Sequence, residues 1–148
     1  MVNDQVKLTG ELHVVVTGQD GIVKEDITIP NLVVTTGKNF IASRMTGSES
    51  NVMSHMAIGS GTVDPADNNV ALGTELGRVA LTTAGGVATN ATVEYVGSFP
   101  AGTGTGAVTE AGIFNASSAG TMLCRTKFPV VNKDVNDSIA ITWRVTVN

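Results

Sequence analysis

Apolar and polar residues alternate with a period of two along the C-terminal segment. Ile139, Ile141, Trp143, Val145 and Val147 fall on one face, and Ser138, Ala140, Thr142, Arg144 and Thr146 on the other. Successive side chains of a strand point to opposite sides, so this pattern predicts a half-buried β-strand. The same spacing opens the chain: Lys7 to Thr17 predicts a strand with Leu8, Leu12, Val14 and Val16 set against Thr9, Glu11, His13 and Thr17. Gln19-Asp20-Gly21 then predicts a tight hairpin turn, because glycine accepts the positive φ such a turn needs. Val23, Glu25, Ile27 and Ile29 continue on its far side until Pro30 removes a ladder donor.

Between these ends the pattern changes once. Thr36 to Met45 offers a threonine cap, then Phe40, Ile41, Arg44 and Met45 at helical spacing, closed by Gly47. A helix under three turns is marginal alone, so its Phe40/Ile41 face is expected to dock on a sheet. Ser48 to Asn51 reads as a loop, Met53 to Ile58 as a strand ending at Gly59-Ser60-Gly61, and Thr62 to Asn69 as an exposed loop. Val70 to Leu76 is read as a short helical turn weakened by Gly73 and Gly77, with Arg78 to Thr83 a strand carrying Val79 and Leu81 on one face. Thr89 to Phe99, Ala107 to Asn115 and Thr121 to Val131 are further strands, the last with Met122, Cys124 and Phe128 facing one way. Pro100 to Gly106 and Ala116 to Gly120 connect them, and Asn132 to Asn136 makes the last turn.

Roughly eight or nine short strands and one helix point to a mainly β fold, an antiparallel β-sandwich or jelly-roll-like barrel. A parallel α/β fold needs crossover helices for which there is no sequence. The 148 residues fit one domain spanning 1–148, with residues 1–6 an irregular N-terminal arm. Charged residues make up only 15% of the chain, below the roughly 25% usual in soluble domains, which suggests surface hidden against a partner. Net charge is −4 and the nine Lys and Arg are scattered, which argues against binding a phosphate backbone. The single Cys124 suits folding in a reducing cytoplasm, and no basic flank with an apolar segment marks the first residues for secretion or a membrane.

The residue types that carry chemistry are sparse and far apart. His13 sits on the polar face of a strand and His55 between Ser54 and Met56, so metal ligation would need distant loops. Cys124 shares the inward pattern of its strand, where a thiol stays protonated. Gly59-Ser60-Gly61 is half of a nucleophile elbow but leads into a loop with Pro65. Gly102 to Gly106 lacks the Gly-Lys-Ser/Thr ending and helix of a phosphate cradle. Asp64, Asp67, Asn68 and Asn69 match no calcium loop, and the Asn-x-Ser/Thr triplets at Asn90, Asn115 and Asn136 carry little meaning without a secretion signal. The expectation is therefore a non-enzymatic protein with no catalytic, cofactor-binding or metal-binding residues.

Five stretches resemble segments common in small structural proteins of tailed-bacteriophage virions: Met56 to Thr62 (MAIGSGT), Ala71 to Leu81 (ALGTELGRVAL), Phe99 to Asn115 (FPAGTGTGAVTEAGIFN), Thr121 to Asn132 (TMLCRTKFPVVN) and Asp137 to Val147 (DSIAITWRVTV). They run in the same order as in such proteins. The resemblance implies a capsid cement or decoration protein on the outer surface of the virion, made in the bacterial cytoplasm. Its expected partners are the major capsid protein and further copies of itself, as a dimer or trimer, with no nucleic acid or membrane. A tail-fibre or baseplate adaptor is the alternative, and a carbohydrate-binding module a third reading. Residues Met1 to Val6 as an arm, and the loops Asp64 to Asn69 and Pro100 to Gly106, are the expected contacts.

Overall fold

The computed structural model describes residues 5–47 and 51–148, in which the period-two segments become strands of two open antiparallel sheets. In chain order they are β1 (Leu8–Thr17), β2 (Val23–Pro30), β3 (Leu32–Val33), helix α1 (Thr35–Thr46), β4 (His55–Gly59), β5 (Glu75–Ala80), β6 (Val87–Thr89), β7 (Thr92–Phe99), β8 (Gly106–Phe114), β9 (Met122–Lys133) and β10 (Ser138–Val147). The first sheet runs β2-β1-β10-β7-β6 and the second β3-β9-β8-β4-β5. The fold is thus sandwich-like and not a closed barrel. Residues 1–4 of the expected arm and 48–50 of the expected loop lie outside the described residues, while Gln5 and Val6 are exposed.

The alternation explains the first sheet directly. Leu12, Val14 and Val16 of β1 and Ile139, Ile141 and Trp143 of β10 are completely or almost completely buried. The two strands pair along their whole length, Leu8 opposite Val147 and Thr17 opposite Ser138. Across the interior stand Met56, Ile58, Ala111, Ile113, Cys124 and Phe128 of the second sheet, forming one core with them. Val147 departs from the pattern: at the end of its strand it is partly exposed. The β1–β2 turn forms as expected, with Gly21 at φ 81° and the Ile22 amide donating to the Asp20 carboxylate.

Several expectations need correction. The helix spans Thr35–Thr46 and is not capped by a side chain: Val34 holds the N-cap position, and the Thr36 hydroxyl donates instead to the Met122 carbonyl at 2.8 Å. Phe40 and Ile41 do pack against the core, whereas Met45 is 88% exposed. The helix approaches β9 through Gly37, where a Cβ would overlap the Leu123 carbonyl. Backbone cannot yield as a flexible side chain can. Gly37→Ala is therefore expected to destabilise by about 1–3 kcal/mol although alanine favours helix, and a urea midpoint equal to or above that of the native protein would contradict this packing.

Val70 to Leu76 is not helical, and β5 begins earlier than expected, at Glu75. The strand expected over Thr89 to Phe99 begins only at Thr92, as β7: Thr89 ends β6, and the two strands form an antiparallel hairpin that turns at Asn90, where φ is 54°. Met122 does not share the inward face with Cys124. The ladder between β8 and β9 shifts at Ile113/Phe114, and Met122 joins Val34, Ala57, Leu72 and Phe114 in a second apolar cluster. Ala57 alternates with inward Met56 and Ile58, so this cluster lies on the outer side of the second sheet. Leu72 brings the β4–β5 connection over that side.

Candidate functional site

The β4–β5 connection is held down by a buried ion pair. Glu110 of β8 and Arg125 of β9 lie on the outer face of the second sheet, yet are 0% and 2% exposed because the connection covers them. Glu110 Oε2 accepts from Arg125 Nη2 at 2.7 Å, Arg125 Nε at 3.1 Å and the Gly73 amide at 3.0 Å. Its Oε1 accepts from the amides of Gly61 at 2.9 Å and Thr74 at 2.8 Å. The rest of the guanidinium donates to the Val63 carbonyl at 2.8 Å and Asn69 Oδ1 at 3.1 Å, and the Thr109 hydroxyl donates to the Gly61 carbonyl at 2.6 Å. A carboxylate taken from water needs such a set of donors, since unpaired it would not remain charged.

Glycines make room for it. A Cβ on Gly59 or Gly61 would stand 2.5 Å from Glu110 Oε1, so Gly59-Ser60-Gly61 serves close approach of backbone to carboxylate. Burial opposes the charged form of Glu110, but the hydrogen bonds from Thr74, Gly73, Arg125 and Gly61 outweigh it and hold the carboxyl below its usual range. A folded pKa below the unfolded one stabilises above the unfolded value, about 4.3, and that stabilisation is lost as pH falls through the folded value. The gap in stability between the native protein and Glu110→Gln is therefore expected to stay constant from pH 8 to about pH 5 and to shrink below about pH 4. Urea titrations across that range test it; a gap unchanged down to pH 2 would contradict the charged clamp.

A second clamp ties three turns together at one end of the sandwich. Lys133 is 1% exposed, and its ammonium donates to the carbonyls of Pro100 at 2.9 Å and Asp137 at 2.6 Å. Burial lowers its pKa, with Asp137 opposing. The Asp137 carboxylate accepts from Lys24 at 2.8 Å and from the Asp134 amide at 2.9 Å, and Lys24 in the first place depresses its pKa. The Gly102 amide donates to the Val135 carbonyl at 2.9 Å, so the Pro100 to Gly106 loop is pinned and not a free glycine-rich segment.

These clamps leave aliphatic side chains facing solvent on ordered backbone. Val63 is 72% and Val70 61% exposed on the β4–β5 connection, and Ile22 and Val135 are 65% and 60% exposed on the turns of the second clamp. The other candidates are scattered. His13 pairs with Asp26 at 2.6 Å across β1 and β2, and His55 Nδ1 shares a 2.8 Å hydrogen bond with Ser54 Oγ. Cys124 is wholly buried, which pushes its thiol well above the usual range. Asp64 is bound by Lys127 at 2.7 Å, while Asn69 Oδ1 accepts from the Ala66 amide as well as from Arg125.

Among the described residues no group of three or more His, Cys, Asp and Glu is placed to hold a metal ion, and no helix is long and apolar enough to cross a membrane. Sequence reasoning missed Glu110 and Arg125. Their one signal was a charge inside each of two consecutive buried strands, opposite in sign. No protein-family model, curated protein or solved structure matches the chain.

Proposed function

We propose that this chain is a non-enzymatic structural protein of a tailed-bacteriophage virion, a cement or decoration protein that binds the outer shell and bridges capsid subunits as a dimer or trimer. One observation carries the reading. Four of the stretches that resemble virion proteins meet at a single buried clamp: Gly61 from MAIGSGT, Gly73 and Thr74 from ALGTELGRVAL, Glu110 from FPAGTGTGAVTEAGIFN and Arg125 from TMLCRTKFPVVN. The segments on which the resemblance rests therefore fold together as one unit.

The clamp also suits the task. Binding costs less entropy when the contacting loops are already ordered, and here Val63 and Val70 stand exposed on such a loop. A specific contact buries about 1,200–2,000 Å² in total, and an oligomer touching several subunits gains further from effective concentration. Preference for the assembled shell over free subunits then stabilises the shell by mass action. The carbohydrate-binding reading is disfavoured by the aromatic residues, since Trp143, Tyr95, Phe99, Phe114 and Phe128 are buried.

Quantitative mass spectrometry of purified virions tests the proposal. A copy number comparable to that of the major capsid protein is the expected result. A handful of copies per particle would overturn the cement role in favour of a tail-fibre or baseplate adaptor, and absence would overturn the virion reading.

A further inference from the structure

Both sheets are open, so among the described residues β2, β6, β3 and β5 each end a sheet. β2 is the longest of these edges, with eight residues against three, two and six. Its strand partner is β1 alone. The Asn31 amide donates to the Gly10 carbonyl, and bonded pairs alternate with unbonded ones along an antiparallel ladder. Ile29 and Ile27 therefore turn their main chain toward β1, and Thr28 and Asp26 turn theirs away from it. Both outward residues are exposed, and their amides and carbonyls face the open side of the sheet.

This edge is bounded at both ends. Toward the first turn Val16 faces Glu25 and Thr17 faces Val23, which leaves Lys24 as the extra residue of a bulge. At the other end Pro30, the next residue to face outward, has no N–H to donate, and its carbonyl already accepts from the Thr126 hydroxyl. Bulges and prolines stop strands from pairing at an edge, and here they leave a window between them from Glu25 to Ile29. Its midpoint is Ile27.

A two-fold axis at Ile27 sets this window against itself. Asp26 then stands opposite Thr28 of a second copy and Thr28 opposite its Asp26, so each pair of outward residues exchanges both of its N–H to C=O bonds. Other centres fail. An axis at Glu25 or Asp26 would put two carboxylates face to face, and one at Thr28 would set Asp26 against Pro30, which lacks a donor. In the favoured register Ile27 meets Ile27, and Ile27 and Ile29, only partly buried against the main core, gain cover from the second strand. We propose that two copies of this chain pair through β2 about a two-fold axis at Ile27, joining their first sheets into one. The pairing uses the same edge of both copies and so closes at the dimer. It goes beyond the proposed function and draws on this edge alone, so it stands or falls apart from the virion measurement.

Sedimentation velocity of the full chain and non-reducing electrophoresis of oxidised variants test it. A dimer is expected at roughly 100 μM. Thr28→Glu places a carboxylate opposite Asp26 in both halves of the interface and should weaken the dimer about tenfold, whereas Thr28→Lys offers an ammonium there and should not weaken it. Thr28 is exposed and its amide points away from β1, so both variants keep the fold. Ile27→Cys should be trapped as a disulfide-linked dimer, since opposite residues of an unbonded pair approach closely, while Glu25→Cys should not. Cys124 is wholly buried and does not compete. A monomer up to roughly 1 mM, a trimer, equal weakening by the two Thr28 variants, or equal trapping of the two cysteine variants would each overturn the proposal.

Discussion

Arg125→Met is expected to lower the free energy of unfolding by about 3–5 kcal/mol, because it strands a charged carboxylate in a site that water does not reach. Glu110 would keep its three backbone donors but lose both guanidinium bonds, and the Val63 carbonyl and Asn69 Oδ1 would lose their donor at the same time. Replacing both partners removes the isolated charge. Glu110→Gln combined with Arg125→Met should therefore cost less than the sum of the single changes, the difference measuring their coupling. The β4–β5 connection lies outside the main core, so part of the loss can take the form of local opening. Faster hydrogen exchange at the amides of Gly61, Gly73 and Thr74 would report that, while urea unfolding followed by Trp143 fluorescence reports the global part. A loss below about 1 kcal/mol with exchange unchanged would show that the pair does not hold the connection.

The second large effect lies in the core itself. Trp143 is 0% exposed at the middle of the first sheet, with Leu12 of β1 opposite it on one side and Tyr95 of β7 on the other. Trp143→Ala empties the largest buried side chain and should cost about 3–5 kcal/mol, or roughly 10–15 °C in Tm. Trp143→Phe separates packing from polarity. The indole Nε1 is buried without a hydrogen-bond partner, so phenylalanine forfeits volume but no hydrogen bond, and a cost of about 1–2 kcal/mol is expected. Equal losses for the two variants would mean that the N–H carries the stability and the packing does not.

Much of the fold was legible because it rests on local rules. The strands β1 and β10 appear as alternation, the first hairpin as Asp20-Gly21, and the end of α1 as Gly47, which takes φ 68° at its C-cap. The failures have nonlocal causes. Val70 to Leu76 looked weakly helical, but the amides of Gly73 and Thr74, which a helix would have used, donate to a carboxylate far along the chain. Thr36 looked like a cap, but its hydroxyl found the Met122 carbonyl on another element. The Asn90 turn was missed because β6 is three residues long and wholly exposed, so it carries no apolar alternation to mark a strand before the turn. Gly59, Gly61 and Gly73 read as loop residues, while their service to Glu110 was invisible without the carboxylate in place.

By itself the sequence determined most of the longer strands, the first hairpin turn and the side chains that β1 and β10 send into the main core. Periodicity and turn chemistry depend on residues a few positions apart. Tertiary structure alone decided that the first and last strands lie side by side and that the outer face of the second sheet is covered. It also turned Glu110 and Arg125 from ordinary strand charges into a buried clamp. The physical reason is that burying a charge depends on donors gathered from distant parts of the chain, and no local pattern records which of them will meet.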